Sequence, residues 1–198
     1  MPTQNPAWWC FWPYCVLAVM LMVASYTDVR RGRVYNWTTF PGILIGLIGH
    51  TVTGGLAGDG RLELGLAGSA AGLAVGFVPL MLVFVAGGIG GGDAKLMGAI
   101  GALTGWRFTL AAMLYGFAVG LVMALVVMVV RGVTRETLGR VWRFLVLLLV
   151  PGGAVDPASE HSPRIPYGLA FCIGAGIALV EVLWRGPVAS RLLLGFGW

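Results

Sequence analysis

The sequence predicts an all-α fold, a polytopic bundle of about six membrane-crossing helices, one of them short, and three observations carry that expectation. Hydrophobic side chains make up 58% of the 198 residues, charged ones only 11%, and the mean hydropathy is +0.88, more apolar surface than one water-soluble core can hide. Apolar stretches long enough to cross a bilayer recur between short basic or glycine-rich loops. Glycine occurs 32 times without a Gly-X-Y period, and Gly42/Gly46, Gly68/Gly72, Gly72/Gly76, Gly101/Gly105 and Gly116/Gly120 stand at the spacing that lets membrane helices approach closely. Residues 1–198 read as a single integral membrane domain.

The first apolar stretch, residues 8–26, has no Lys or Arg before it and no small-residue cleavage site after it, so it is expected to stay as a span rather than leave as a signal peptide. Arg30, Arg31 and Arg33 follow, and the excess of basic residues in cytosolic loops puts this loop inside and the N-terminus outside. A second span covers 37–52, with Pro41 in its first turn, where a missing N–H does little harm. The glycine-rich loop 53–63 leads to a third span, 64–86, in which Pro79 marks a place for a kink. Residues 93–106 form a short span and 108–130 a long one, ending at Arg131, Arg135, Arg140 and Arg143. Residues 138–150, stopped by Pro151-Gly152-Gly153, read as an interfacial or re-entrant helix on the cytosolic side. A last span follows 165–170 and reaches residue 184, which leaves Arg185 and Arg191 outside, against the charge rule.

Composition also narrows the function. The net charge of +5 comes from 13 basic and 8 acidic residues, and the basic ones sit in loops as topology determinants, so no nucleic-acid partner is expected. Cys10, Cys15 and Cys172 make no C-x-x-C pair and read as small membrane-embedded hydrophobes. His50, near the outer face, and His161, in a cytosolic loop, cannot share a metal and read as surface residues. No metal and no cofactor is expected.

One stretch looks built for chemistry: Gly87-Gly88-Ile89-Gly90-Gly91-Gly92-Asp93-Ala94-Lys95-Leu96, where five of the six residues before Asp93 are glycine. A carboxylate beside hydrocarbon is costly and calls for a partner, and two crossings separate Asp93 from Asp28, so both emerge at one membrane face. Two carboxylates held close in a low-dielectric site cannot both ionise easily; one keeps a proton while the other stays charged, an acid and a base at one pH. The charged member can take a proton from water while the neutral one polarises a peptide carbonyl, which suffices for amide hydrolysis without metal or covalent intermediate. Lys95 and the helix N-terminus should favour the ionised form of Asp93, leaving Asp28 as the more often protonated member. The plainer alternatives are an N-cap role for Asp93 and neutralisation of Asp28 by Arg30 or Arg31. Two other functions fit a polytopic protein with intramembrane acids: a small proton- or cation-coupled transporter, and a catalytically inactive assembly protein of a pilus or secretion system.

Three stretches resemble the type IV prepilin peptidases, membrane aspartic proteases with a Gly-x-Gly-Asp motif. Asp28-Val29-Arg30-Arg31-Gly32-Arg33-Val34-Tyr35-Asn36 is similar to the family's first-aspartate segment, with Val34-Tyr35 where many relatives have Ile-Pro before the Asn. Gly90-Gly91-Gly92-Asp93-Ala94-Lys95-Leu96 resembles the second, and Ile165-Pro166-Tyr167-Gly168-Leu169-Ala170 the C-terminal Pro-aromatic-Gly element. The resemblance implies that Asp28 and Asp93 are the catalytic pair of an endopeptidase that removes the leader from pilin-like precursors at the cytosolic face of the plasma (inner) membrane. It also makes Gly90, Gly92, Lys95, Asn36, Pro166, Tyr167 and Gly168 motif or substrate-binding positions. In size the chain resembles the short, peptidase-only forms of tight-adherence (Flp-type) pilus systems and archaeal preflagellin peptidases, which lack the cytosolic methyltransferase domain with paired C-x-x-C motifs. A pilin precursor joins a basic leader to an apolar helix, so the scissile bond is expected near the interface, locally extended and paired with exposed backbone in the 87–92 glycine run.

Overall fold

In the computed structural model the described residues are 11–58, 64–86, 89–130, 132 and 167–194, the side chains of 185–194 excepted. Among them all regular structure is helical: α1 Trp12–Arg31, α2 Asn36–Gly54, α3 Gly65–Val85, α4 Gly91–Thr104, α5 Trp106–Val130 and α6 Tyr167–Leu194. The expected interfacial helix at 138–150 lies outside the described residues, as do Gly87, Gly88, Pro166, Cys10 and His161. The chain forms two compact units, residues 1–119 with 166–198 and residues 120–165; the candidate site lies wholly in the first.

Four helices, α1, α3, α5 and residues 167–184 of α6, are long and apolar enough to cross a membrane. Their outward residues are large and hydrophobic, among them Val19, Met22, Leu82, Leu114, Leu121 and Val180, as a lipid-facing surface requires. The 19-residue α2 carries Asn36, Thr38, Thr39, His50, Thr51 and Thr53 and is not among the four. The 14-residue α4 rises only ~21 Å at 1.5 Å per residue, against a hydrocarbon core of ~30 Å.

This short helix is the core. Every residue from Leu96 to Thr104 is buried, and α1, α2, α3 and α6 all pack on it. Glycine makes the enclosure close. Gly72 of α3 and Gly101 of α4 sit backbone to backbone, so a Cβ on either would strike the other's carbonyl. A Cβ on Gly46 of α2 would lie 2.6 Å from the Ala102 carbonyl oxygen, and one on Gly76 would strike that of Met97. Two of the small-residue pairs seen in the sequence, Gly42/Gly46 and Gly72/Gly76, are thus the seams on which α2 and α3 meet α4. Gly68 instead abuts Leu64 within its own segment. On the other side Gly116 of α5 accepts the Phe171 ring of α6, which meets Phe117 edge-on at 5.4 Å.

A helix end buried away from water must find acceptors and donors elsewhere. At the C-terminal end of α4, Ser69 Oγ donates to the Ala102 carbonyl at 2.6 Å and His50 Nε2 to the Leu103 carbonyl at 2.8 Å. His50 is therefore a buried residue, stacked obliquely on Trp12, and not the surface histidine expected from its place late in a span. The helix stops at Gly105, whose φ of +80° breaks α4 from α5.

Two boundaries differ from expectation. The first helix continues past residue 26 to Arg31, so Asp28 belongs to its last turn; Gly32, at φ +60°, closes it with an N–H to the Asp28 carbonyl at 2.7 Å. The second begins at Asn36, which puts Pro41 in the helix interior rather than in the first turn. Helix α3 likewise runs through Pro79 without interruption. Besides Asp28 and Asp93, the acidic side chain among the described residues is Glu181 of α6, which accepts the Tyr115 hydroxyl of α5 at 2.7 Å.

Candidate active site

Three helix ends and one linker converge where α1 stops. Asp28 is only 5% exposed, and its Oδ2 accepts the Leu169 backbone N–H at 2.7 Å. Leu169 lies in the first turn of α6, where N–H groups have no intrahelical acceptor and the helix dipole favours a negative charge. One residue earlier, Gly168 has no room for a side chain: a Cβ there would come within 2.8 Å of Asp28 Oδ2. The glycine of the Pro-Tyr-Gly element is what lets Asp28 reach the start of α6.

Asp93 occupies the third position of α4, with extended Gly90 (φ −77°, ψ 141°) as the N-cap residue. The plain N-cap role is thereby corrected; instead the carboxylate folds back to the Gly90 backbone N–H, the reach-back half of a capping box. A Cβ on Gly90 would fall 3.2 Å from Asp93 Oδ2. Asp93 is 8% exposed and lies within electrostatic range of Asp28. The two acids, 65 positions apart by number (93 − 28), share one buried junction.

Neither Arg30 nor Arg31 takes up Asp28 as the plainer reading had it. Both are exposed: Arg30 lies over the Tyr26 ring at 5.4 Å, and Arg31 over Tyr35 at 5.7 Å while donating to its hydroxyl at 3.2 Å. Lys95 also differs from expectation. Its Nζ donates to Asn36 Oδ1 at 3.0 Å and stands 5.6 Å from the Phe40 ring centre, so the motif lysine and the motif asparagine hold each other, tying the first turn of α4 to that of α2. Tyr167 is half-buried and packs against the hydrophobic core.

Five contributors were given no role at the site by the sequence reading. Cys172 is buried beneath the pair, its thiol hydrogen-bonded to Ser25 and within electrostatic range of both aspartates. Spacing contained this signal: Ser25 is three residues before Asp28 and Cys172 four after Gly168, each on the face of its helix that reaches the site. The Leu169 N–H and the Phe40 ring carry no such mark. Nor does Val34, whose backbone lies against Gly92 and whose side chain lies against Gly168.

An all-helical fold with lipid-facing spans and two buried acids at one junction of helix ends defines a polytopic membrane protein with an apparatus suited to hydrolysis. A model of the type IV leader peptidase family matches residues 15–125, more than half of the chain and inclusive of both acids. No curated protein and no solved structure matches it. The chain belongs to the type IV leader peptidase family: it is an aspartic-type endopeptidase that removes the leader peptide from type IV pilin-like precursors at the membrane.

Proposed function

We propose that Asp28 and Asp93 are the catalytic pair, and the observation that carries this reading is their burial within mutual electrostatic range at a junction fed by segments remote in sequence. One carboxylate takes a proton from the attacking water; the other, protonated, donates to the carbonyl oxygen of the scissile peptide, and on collapse of the tetrahedral intermediate the proton taken from water passes to the leaving amine. As the C–N bond breaks, a hydroxyl of the intermediate returns a proton to the second carboxylate, so the pair ends each turnover in its starting protonation.

Gly90, Gly92 and Gly168 serve as positions without a side chain where carboxylate and backbone come together, and Asn36 and Lys95 fix the start of α4 on α2. Pro166 and Tyr167 belong to the third motif, assigned to substrate binding by the resemblance alone. The glycine run that ends at Gly92 offers backbone partners to a precursor whose helix has opened at the cut. In this reading the chain is one peptidase domain of six crossings, counting α2 and α4. It lies in the plasma (inner) membrane with the Arg30–Arg33 loop and the site facing the cytosol. The transporter alternative expects its acids midway along broken helices; here one stands in the last turn of α1 and the other in the first of α4.

The test is direct. Purified protein in lipid or detergent is incubated with a type IV pilin-like precursor and the new N-terminus is located by mass spectrometry. Asp28→Asn and Asp93→Asn are each expected to lower product formation by roughly 10²–10⁴-fold at unchanged protein level. Cleavage by either variant at the parental rate would remove the pair from the mechanism.

A further inference from the structure

Val34 lies between the segment that carries Asp93 and the one that binds Asp28. It lies half-buried in the non-helical linker between α1 and α2, and glycine faces it on two sides. A Cβ on Gly92, the residue before Asp93, would fall 3.2 Å from the Val34 carbonyl oxygen and 3.3 Å from its Cβ. A Cβ on Gly168, one residue before the Leu169 N–H that binds Asp28, would fall 2.9 Å from Val34 Cγ2. The linker is anchored at both ends, by the Gly32 N–H on the Asp28 carbonyl and by Asn36 on Lys95. With no side chain at 92 or 168 to adjust, the width of residue 34 passes directly to the two backbones that carry or bind the acids.

We propose that Val34 is a positioning residue for leader cleavage: its β-branched side chain, stiff about χ1, is the spacer that sets the separation of Asp28 from Asp93. The inference rests on the reading of those two acids as the catalytic pair. Val34 touches neither water nor peptide in this role. It acts through the distance between two groups that must reach one bond together, and a misplacement of about 1 Å costs on the order of 10²-fold in rate.

The experiment measures kcat and KM of the full chain on a type IV pilin-like precursor for the parent, Val34→Ile, Val34→Thr, Val34→Leu, Val34→Ala and Asp28→Asn, with the thermal midpoint of each. Ile and Thr keep the branch at Cβ, with the Ile Cγ1 methylene or the Thr Oγ1 hydroxyl standing where Val34 has Cγ2, and are expected to hold kcat near the parent. Leu, one methylene larger and branched a carbon later, and Ala, without the methyl, are expected to lose kcat on the order of 10²-fold with little change in KM. Parental kcat in Val34→Leu or Val34→Ala overturns the inference. So does a loss shared by all four substitutions that follows the thermal midpoint, which is the mark of packing alone. Should Val34→Ala fail to fold, Val34→Leu decides. Parental activity in Asp28→Asn strikes the catalytic reading instead, and so separates the two failures.

Discussion

The two ends of α4 are built on opposite plans. At its C-terminal end, carbonyls find donors from neighbouring helices, Ser69 on Ala102 and His50 on Leu103, and glycine brings backbones together. At its N-terminal end, glycine instead makes space around a carboxylate, and Asp93 is brought near a second acid of like charge. One end minimises free energy; the other accepts an arrangement that a purely structural helix would avoid. The same residue type serves both, so an abundance of glycine does not by itself distinguish scaffold from site.

That contrast can be tested with substitutions whose effects fall on activity at one end and on stability at the other. The largest effect is expected at the acids: Asp93→Asn should lower kcat by roughly 10²–10⁴-fold while leaving the thermal midpoint near that of the parent, measured by precursor cleavage and by a melting curve in the same detergent. Gly101→Ala should do the reverse. Its methyl would meet the backbone of Gly72 and Leu73, which cannot give as a flexible side chain can, so stability should fall by about 1–3 kcal/mol, read as a lower melting temperature and lower yield. Next is Ser69→Ala, which strands a buried carbonyl at a cost of about 1–3 kcal/mol; His50→Gln, which keeps a donor, should lose less than His50→Ala. The smallest effect is expected for Lys95→Met, where one partly exposed hydrogen bond to Asn36 worth about 1 kcal/mol is removed. If Lys95→Met instead matched Asp93→Asn in lost kcat, the lysine would belong to the chemistry rather than to the clamp between α2 and α4.

What could be read from the sequence follows from how local its cause is. An acid after a glycine run is a local pattern, and counting crossings led from Asp93 to Asp28 before any coordinates; the two do lie within electrostatic range. The spans of α1, α3 and α5 were legible because hydropathy is a sum over neighbours. By contrast, the burial of His50 depends on a carbonyl 53 positions away, and nothing near His50 announces that α4 ends beside it. The partner of Lys95 was missed for the same reason: Asp93 is two residues away and was the natural choice, whereas Asn36 is 59 away and wins. Val34 appeared only as an unusual substitute within a motif, because its importance lies in two absences, the side chains missing at Gly92 and Gly168.

The meeting of Gly72 with Gly101 has one more implication. In most packed interfaces a bulkier residue on one side can be accommodated by a slimmer one opposite, which gives lineages a path through paired change. Here each position already holds the smallest residue available, so no second-site trade exists, and descendants of this chain are confined to leaving both alone or rebuilding the whole seam.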